Sequence, residues 1–175
     1  MSIDQAGFRR LPFLAEGQIV QIGIVVPDLK AALRTWSAAL GLGPWIGFHF
    51  TPETVQDFTY RGEPATYSID IAMTGAGPQV ELIEVHGEQS LYHEWTDVHG
   101  YGIQHLGIRV AEMEPVKQEM LDAGYELIQS GHGYGAAGDG AFAYFDTLEE
   151  FGTIFELIQV PAERRTPDFV WPDPV

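Results

Sequence analysis

The feature that most constrains this chain is an internal repeat. Gln21-Ile22-Gly23-Ile24 returns as His105-Leu106-Gly107-Ile108, and Glu81-Leu82-Ile83 returns as Glu156-Leu157-Ile158. Each pair sits at the same place in a recurring series of elements. Aliphatic and β-branched residues over Ile19 to Val26 predict a buried strand, stopped by Pro27 and Asp28. Asp28 can cap a helix whose Leu29, Ala32, Leu33 and Trp36 form one stripe, ended by Gly41 and Gly43. Strands follow at 45–50, 66–73 and 79–85, with a polar loop after Phe50 and a turn at Gly75, Gly77 and Pro78. The series restarts after a loop through His99 and Gly100. It gives a strand at 103–110, a helix at 112–123 closed by Gly124, and strands at 125–129, 141–145 and 153–160.

The order is β-α-β-β-β, twice. It predicts an α+β fold in which two βαβββ modules in tandem form a curved mixed sheet. Residues 1–17 read as an N-terminal arm, 18–100 as the first module with its linker, and 101–161 as the second module. Residues 162–175, rich in proline, read as an extended C-terminal arm.

Strand periodicity then singles out four positions. Ile22, Ile24 and Val26 share one face, which a covering helix would bury; Gln21, Gly23 and Val25 look the other way. In the second copy Leu106, Ile108 and Val110 leave His105 and Gly107 on the opposite face. A glycine two residues after both Gln21 and His105 keeps that space open. Glu81 shares a face with Ile83 and Val85, and Glu156 with Ile154 and Ile158. A carboxylate among aliphatic side chains is costly to bury unless it is paired or bound to metal. Two of them at equivalent repeat positions call for one explanation, and a shared divalent cation supplies it. Gln21, Glu81, His105 and Glu156 form the expected ligand set. The chain has no cysteine, so a metal here must use nitrogen and oxygen donors.

Charge narrows the partners. Nine Lys and Arg stand against 25 Asp and Glu, a formal charge of −16, which repels nucleic acid and anionic membranes. A coenzyme A phosphate is also harder to grip, because the arginines (Arg9, Arg10, Arg34, Arg61, Arg109, Arg164 and Arg165) are scattered along the chain. Aromatic residues are plentiful instead, among them Trp36, Trp45, Phe48, Phe50, Tyr60, Tyr67, Tyr92, Trp95, Tyr101 and Tyr134. Collectively they allow a small, apolar or aromatic ligand. Pro12 interrupts the short apolar run after Arg9 and Arg10, so no signal peptide is read there, and no stretch approaches membrane-spanning length. The expectation is a soluble, cytoplasmic protein.

These residues resemble the vicinal-oxygen-chelate superfamily, which includes glyoxalase I, methylmalonyl-CoA epimerase, extradiol dioxygenases and bleomycin-resistance proteins. The resemblance runs from about Ile19 to Pro161. Gln21-Ile22-Gly23-Ile24-Val25-Val26-Pro27-Asp28-Leu29 is similar to the family's opening strand and helix cap. Gly100 to Gly107 resembles the start of the second module, and Phe155 to Pro161 its closing strand. The family's ligand positions fall on Gln21, Glu81, His105 and Glu156, a set similar to that of one glyoxalase I branch; epimerases usually carry His where this chain has Gln21.

The resemblance implies one divalent ion (zinc, nickel, cobalt, manganese or iron), a homodimer, and proton abstraction next to a carbonyl with the metal stabilising the enolate. It implies Glu156 as general base and Glu81 as the second catalytic carboxylate. The chemistry expected is that of a lyase, isomerase or epimerase. Two alternatives stay open: a metal-free protein that sequesters a small aromatic ligand, and an iron-dependent ring-cleaving dioxygenase, for which Gln21 is the wrong residue in a two-histidine facial triad.

Other signals are weaker. His93 and His99 flank Glu94 and Asp97, but the spacing fits no standard metal site and predicts a solvated loop. His86 is expected at the surface or the pocket rim. The glycine-rich run from Gly131 to Gly140 lacks the Lys-Ser/Thr ending of a phosphate loop. It is read either as a lid over the site or as a plain hairpin loop. Glu149 and Glu150 are expected at a solvent-facing turn.

Overall fold

The computed structural model describes Leu11 and residues 18–172. The N-terminal arm therefore lies outside the described residues, apart from Leu11, which is buried with Ile108, Met120 and Leu157.

The first half opens as expected. β1 (Gln18–Val25) leads to α1 (Leu29–Leu40). The Asp28 carboxylate caps α1 by accepting from the Ala31 N–H at 2.7 Å. Gly41, at φ 67, ends the helix in the left-handed conformation that glycine adopts without strain. β2 (Trp45–Phe50) follows. A short hairpin of β3 (Gln56–Tyr60) and β4 (Glu63–Pro64) comes next, then β5 (Ser68–Thr74) and β6 (Gln79–His86). After α2 (Leu91–His99), the second half repeats the pattern with β7 (Gly102–Arg109), α3 (Met113–Asp122), β8 (Leu127–Tyr134) and β9 (Gly140–Phe145). A one-turn α4 (Leu148–Phe151), β10 (Ile154–Gln159) and β11 (Phe169–Trp171) complete the chain.

All eleven strands form one sheet in the order β11-β2-β5-β6-β1-β7-β10-β9-β8-β3-β4. At its centre β1 and β7 run antiparallel, and each pairs on its outer side with the last strand of its own half, β6 or β10, in parallel. The two halves are thus joined within one chain about a local two-fold at the β1–β7 seam. The outer face of each half carries its helix: Ile24, Val26 and Leu82 pack with Leu29 and Leu33, while Ile108, Val110 and Leu157 pack with Met113 and Met120. The inner face carries a third cluster, including Val25, Ile83, Tyr92 and Tyr144. The two sides of each strand are divided as the alternation predicts.

Several segments depart from the sequence reading. The polar loop after Phe50 contains the β3–β4 hairpin, which adds to β8 at the far edge of the other half. The loop between halves is α2. Ser90 caps it by accepting from the His93 N–H at 3.2 Å, and its Leu91 and Tyr92 are buried in the inner cluster. The glycine-rich run begins in strand β8, which extends to Tyr134, turns over residues 135–139 and enters β9 at Gly140. The C-terminal segment is not a free arm either, since β11 pairs antiparallel with β2. Among the described residues no helix is long and apolar enough to cross a membrane.

Candidate metal centre

Two matched irregularities in the β1–β7 ladder prepare the site. The register slips once at Val20 on β1 and once at Gln104 on β7, so each strand carries a bulge directly before its candidate ligand. Between the bulges Gln21 faces Gly107, and Gly23 faces His105. Parallel pairing then places Glu81 beside Gly23 and Glu156 beside Gly107. The result is two rows across the sheet. One row reads Glu81, Gly23, His105; the other reads Glu156, Gly107, Gln21. All four candidate ligands are therefore on the concave face, around the local two-fold.

The glycines are required by contact. A Cβ on Gly23 would overlap the His105 imidazole, and a Cβ on Gly107 would lie 2.8 Å from Cβ of Gln21 and 2.9 Å from its Oε1. Each glycine is the floor on which the other strand's polar side chain lies.

The four side chains are buried: Gln21, Glu81, His105 and Glu156 expose 6%, 5%, 0% and 7% of their surface. Ligand atoms of Glu81, His105 and Glu156 all lie within 4.8 Å of one another. His105 Nε2 is 3.1 Å from Glu156 Oε2 and 3.6 Å from Glu81 Oε2. Despite that proximity, neither His105 Nε2 nor Glu156 Oε2 has an aligned hydrogen-bond partner. Leaving such atoms unsatisfied costs about 1–3 kcal/mol each, more when charged. A cation placed among them would satisfy both at once. One imidazole, two carboxylates and one amide, gathered around the same space, fit a divalent ion of borderline-to-hard character. Gln21 is the least committed of the four: its amide Nε2 donates weakly to Met73 Sδ at 3.4 Å, and turning it about χ3 would present Oε1.

Sequence reasoning missed the group that orients the histidine. Gln104, fully buried at the bulge, brings Oε1 to 2.7 Å from His105 Nδ1. An amide oxygen only accepts, so Nδ1 carries the hydrogen and Nε2 faces the carboxylates. Such a partner fixes the tautomer of a metal-ligating histidine. The Tyr144 ring packs edge-on against the imidazole at 5.2 Å between centroids.

Burial pushes the Glu81 carboxyl up, contact with His105 pulls it down, and the Glu156 charge pushes it up again; the balance is upward. Burial pulls the His105 imidazole down, but the Glu156 and Glu81 carboxylates push it up to about 9. Burial keeps the hydroxyls of Tyr92 and Tyr144 protonated at neutral pH, reinforced at both by the charge of Glu156.

The site lies on the floor of a cavity of about 890 Å³, counting its open mouth. Its walls are apolar and aromatic, with Phe48, Phe50 and Tyr92 from the first half and Tyr134, Phe142 and Tyr144 from the second. Trp45 and Tyr67 belong to the core instead, and Tyr101 is exposed. The mouth is bordered by Pro161, Arg164 and Arg165, so two of the scattered arginines converge there.

The weaker signals resolve as local structure. His93 bonds Ser90 at the start of α2, Glu94 pairs with Arg61, and His86 and His49 both bond Asp70 on the helix side of the sheet. Glu149 and Glu150 lie in α4, where Glu150 accepts from the Tyr125 hydroxyl at 2.5 Å.

Comparison with known proteins agrees with this architecture. No curated protein matches the chain. Among solved structures, a hypothetical protein from Bacillus halodurans C-125 superposes with a TM-score of 0.62 at 22% identity, over 86% of this chain and 99% of that one. A methylmalonyl-CoA epimerase from Mycobacterium tuberculosis gives 0.57 at 22% identity, over 81% and 87%. A single-residue variant of the Streptomyces coelicolor methylmalonyl-CoA epimerase, in complex with 2-nitronate-propionyl-CoA, gives 0.60 at 19%, over 83% and 98%. At these identities the likeness is one of fold. The sequence pattern of the family described as Glyoxalase/Bleomycin resistance protein/Dioxygenase superfamily matches residues 20–145. With more than half its length matched, this chain belongs to the glyoxalase/bleomycin resistance protein/dioxygenase superfamily, as its repeat and motifs suggested.

Proposed function

We propose that this chain is a metal-dependent lyase, isomerase or epimerase of the glyoxalase type, acting on a small carbonyl compound by removing a proton from the carbon next to the carbonyl. The observation that carries this reading is the buried Glu81, His105 and Glu156 group with its unpartnered donor atoms, on the floor of an apolar cavity. Gln21, Glu81, His105 and Glu156 would hold the ion. A bound divalent cation supplies Lewis-acid stabilisation of negative charge on the substrate oxygens.

The protein's own groups would do the rest. Glu156 is the general base: its Oε2 has no hydrogen-bond partner, and Glu156 lines the cavity. Glu81 stands at the equivalent position of the other half and lines the same cavity. Its upward-shifted carboxyl suits it to hold and return a proton. The apolar walls exclude water from the reacting carbon. The Tyr92 hydroxyl donates to the Tyr144 oxygen at 3.0 Å, which leaves the Tyr144 O–H as a neutral donor near Glu156.

The test is exchange of the carbon-bound hydrogen of an α-hydroxyketone into deuterated solvent, followed by proton NMR. Glu156→Gln should slow exchange by about 10²–10⁴-fold while the variant keeps much of its metal binding. Full exchange in that variant would remove Glu156 as the base.

A further inference from the structure

The cavity has a polar end besides the metal centre. Gln79 lies two residues before Glu81 on β6, on the same inner face, so it stands about 7 Å further along the strand towards the mouth. Its Oε1 accepts from Nη2 of Arg164 at 3.0 Å. Arg164 and Gln79 both line the cavity, although they are far apart in the sequence. The neighbouring Arg165 is already engaged: it binds the Asp168 carboxylate at 2.6 Å and lies over the Phe48 ring at 5.1 Å. Arg164 differs, because among the described residues no carboxylate lies within ion-pair distance of it. Arg34 and Arg109 likewise have no ion pair among the described residues, but of these three only Arg164 lines the cavity, where its side chain is exposed at the edge. Its carrier segment is also fixed on both sides. Ala162 N–H donates to Asp139 Oδ2 at 2.9 Å, and Ala136 N–H donates to the Glu163 carbonyl, also at 2.9 Å.

We propose that Arg164, held by Gln79, binds a carboxylate at the far end of the substrate, so that the ligand is a small monoanionic acid with a carbonyl at one end and an aromatic or apolar body between. A guanidinium grips a carboxylate with two parallel hydrogen bonds. A coenzyme A thioester offers the same anionic chemistry through its phosphates. It would bring several charges to a surface of net charge −16, and of the two arginines lining the cavity only Arg164 is free of a carboxylate among the described residues, so the small acid is the source favoured here. The inference rests on the proposed chelating role of the floor of the site, but it is tested separately.

The probes are 4-(2-hydroxyacetyl)benzoate and its neutral twin 4-(2-hydroxyacetyl)benzamide, titrated calorimetrically into the full chain with and without zinc. The benzoate should bind about tenfold or more tightly than the benzamide. Arg164→Gln should bring the two to near equality, chiefly by weakening the benzoate, and Arg164→Lys should restore part of the preference. Equal affinities in the parent, or a preference that survives Arg164→Gln, would overturn the proposal, as would no binding of either probe. Acetyl-CoA that binds more tightly than the benzoate, and loses that advantage in Arg164→Gln, would overturn the small-acid source. A carboxylate preference accompanied by affinities that zinc does not change would keep Arg164's role and reject chelation at the floor. Zinc-dependent binding without the preference would do the reverse.

Discussion

The two halves of this molecule are built alike and equipped differently. Each contributes a bulged first strand, a glycine floor and a carboxylate on its last strand. At the equivalent bulge positions, however, the first half has Val20, an apolar wall of the cavity, and the second has Gln104, which holds the His105 ring. The equivalent candidate ligand positions carry Gln21, whose amide donates weakly to a thioether, and His105, held at Nδ1 by Gln104. Symmetry therefore sets where the four side chains meet, and its local violations set which is the firm donor. The second half supplies the rigid histidine; the first supplies a softer amide.

The largest test of that contrast is at the floor. Gly23→Ala drives a methyl into an imidazole that Gln104 and Tyr144 hold in place, so zinc affinity by calorimetry should fall at least about 100-fold, beyond what loss of an orienting partner costs. Gly107→Ala meets the end of Ile158 and the Gln21 amide, which can turn aside, and the Gln21 Cβ at 2.8 Å, which cannot, so it should cost less than Gly23→Ala, about tenfold. Equal losses would mean that the halves are interchangeable.

A second comparison sets the bulges against each other. Gln104→Ala should weaken zinc binding about 10–100-fold, because the second partner of a ligating histidine carries that much. Val20→Ala should leave zinc binding unchanged and alter only ligand affinity in the cavity.

A third test is pH dependence above neutrality, centred on His105 of the second half and on the two carboxylates that raise it. His105 in the metal-free fold titrates near 9, raised from 6.5 against burial by the two carboxylates. A raised imidazole contributes stability that is complete below its unfolded value and is lost as pH rises through about 9. The metal-free protein should therefore melt at lower temperature as pH rises from 6.5 to 9. Zinc binding must expel the same proton, so affinity should rise over this window by up to about tenfold per pH unit and flatten above it. In His105→Ala both slopes should vanish.

Much of this architecture was legible because it is local and periodic. The repeat, the faces of β1 and β7, the Asp28 cap and the burial of Gln21, Glu81, His105 and Glu156 all follow from alternation and from residue type. The β3–β4 hairpin was not legible: Gln56 to Tyr60 is held by β8, some seventy residues away, and nothing in its polar sequence announces that partner. The Ser90 cap and Gly100 stop of α2 were readable, but the cluster of His93, Glu94, Asp97 and His99 drew attention to metal spacing instead. Gln104 precedes a residue already suspected, yet strict alternation turns it away from the site; only a bulge brings it to Nδ1 of His105. Arg164 needed the return of the C-terminal segment to β2, a contact made through β11.

The central claim is that four side chains from two halves share one ion. The most direct measurement is elemental analysis of the purified protein after incubation with zinc, nickel, cobalt, manganese or iron, beside a His105→Ala, Glu156→Ala double variant whose fold is checked by circular dichroism. That pair of substitutions removes one basic and one acidic group together, so the buried charge stays balanced. The account predicts about one ion per chain in the parent and none in the folded variant. An ion-free parent, or a folded variant that keeps the ion, would contradict it.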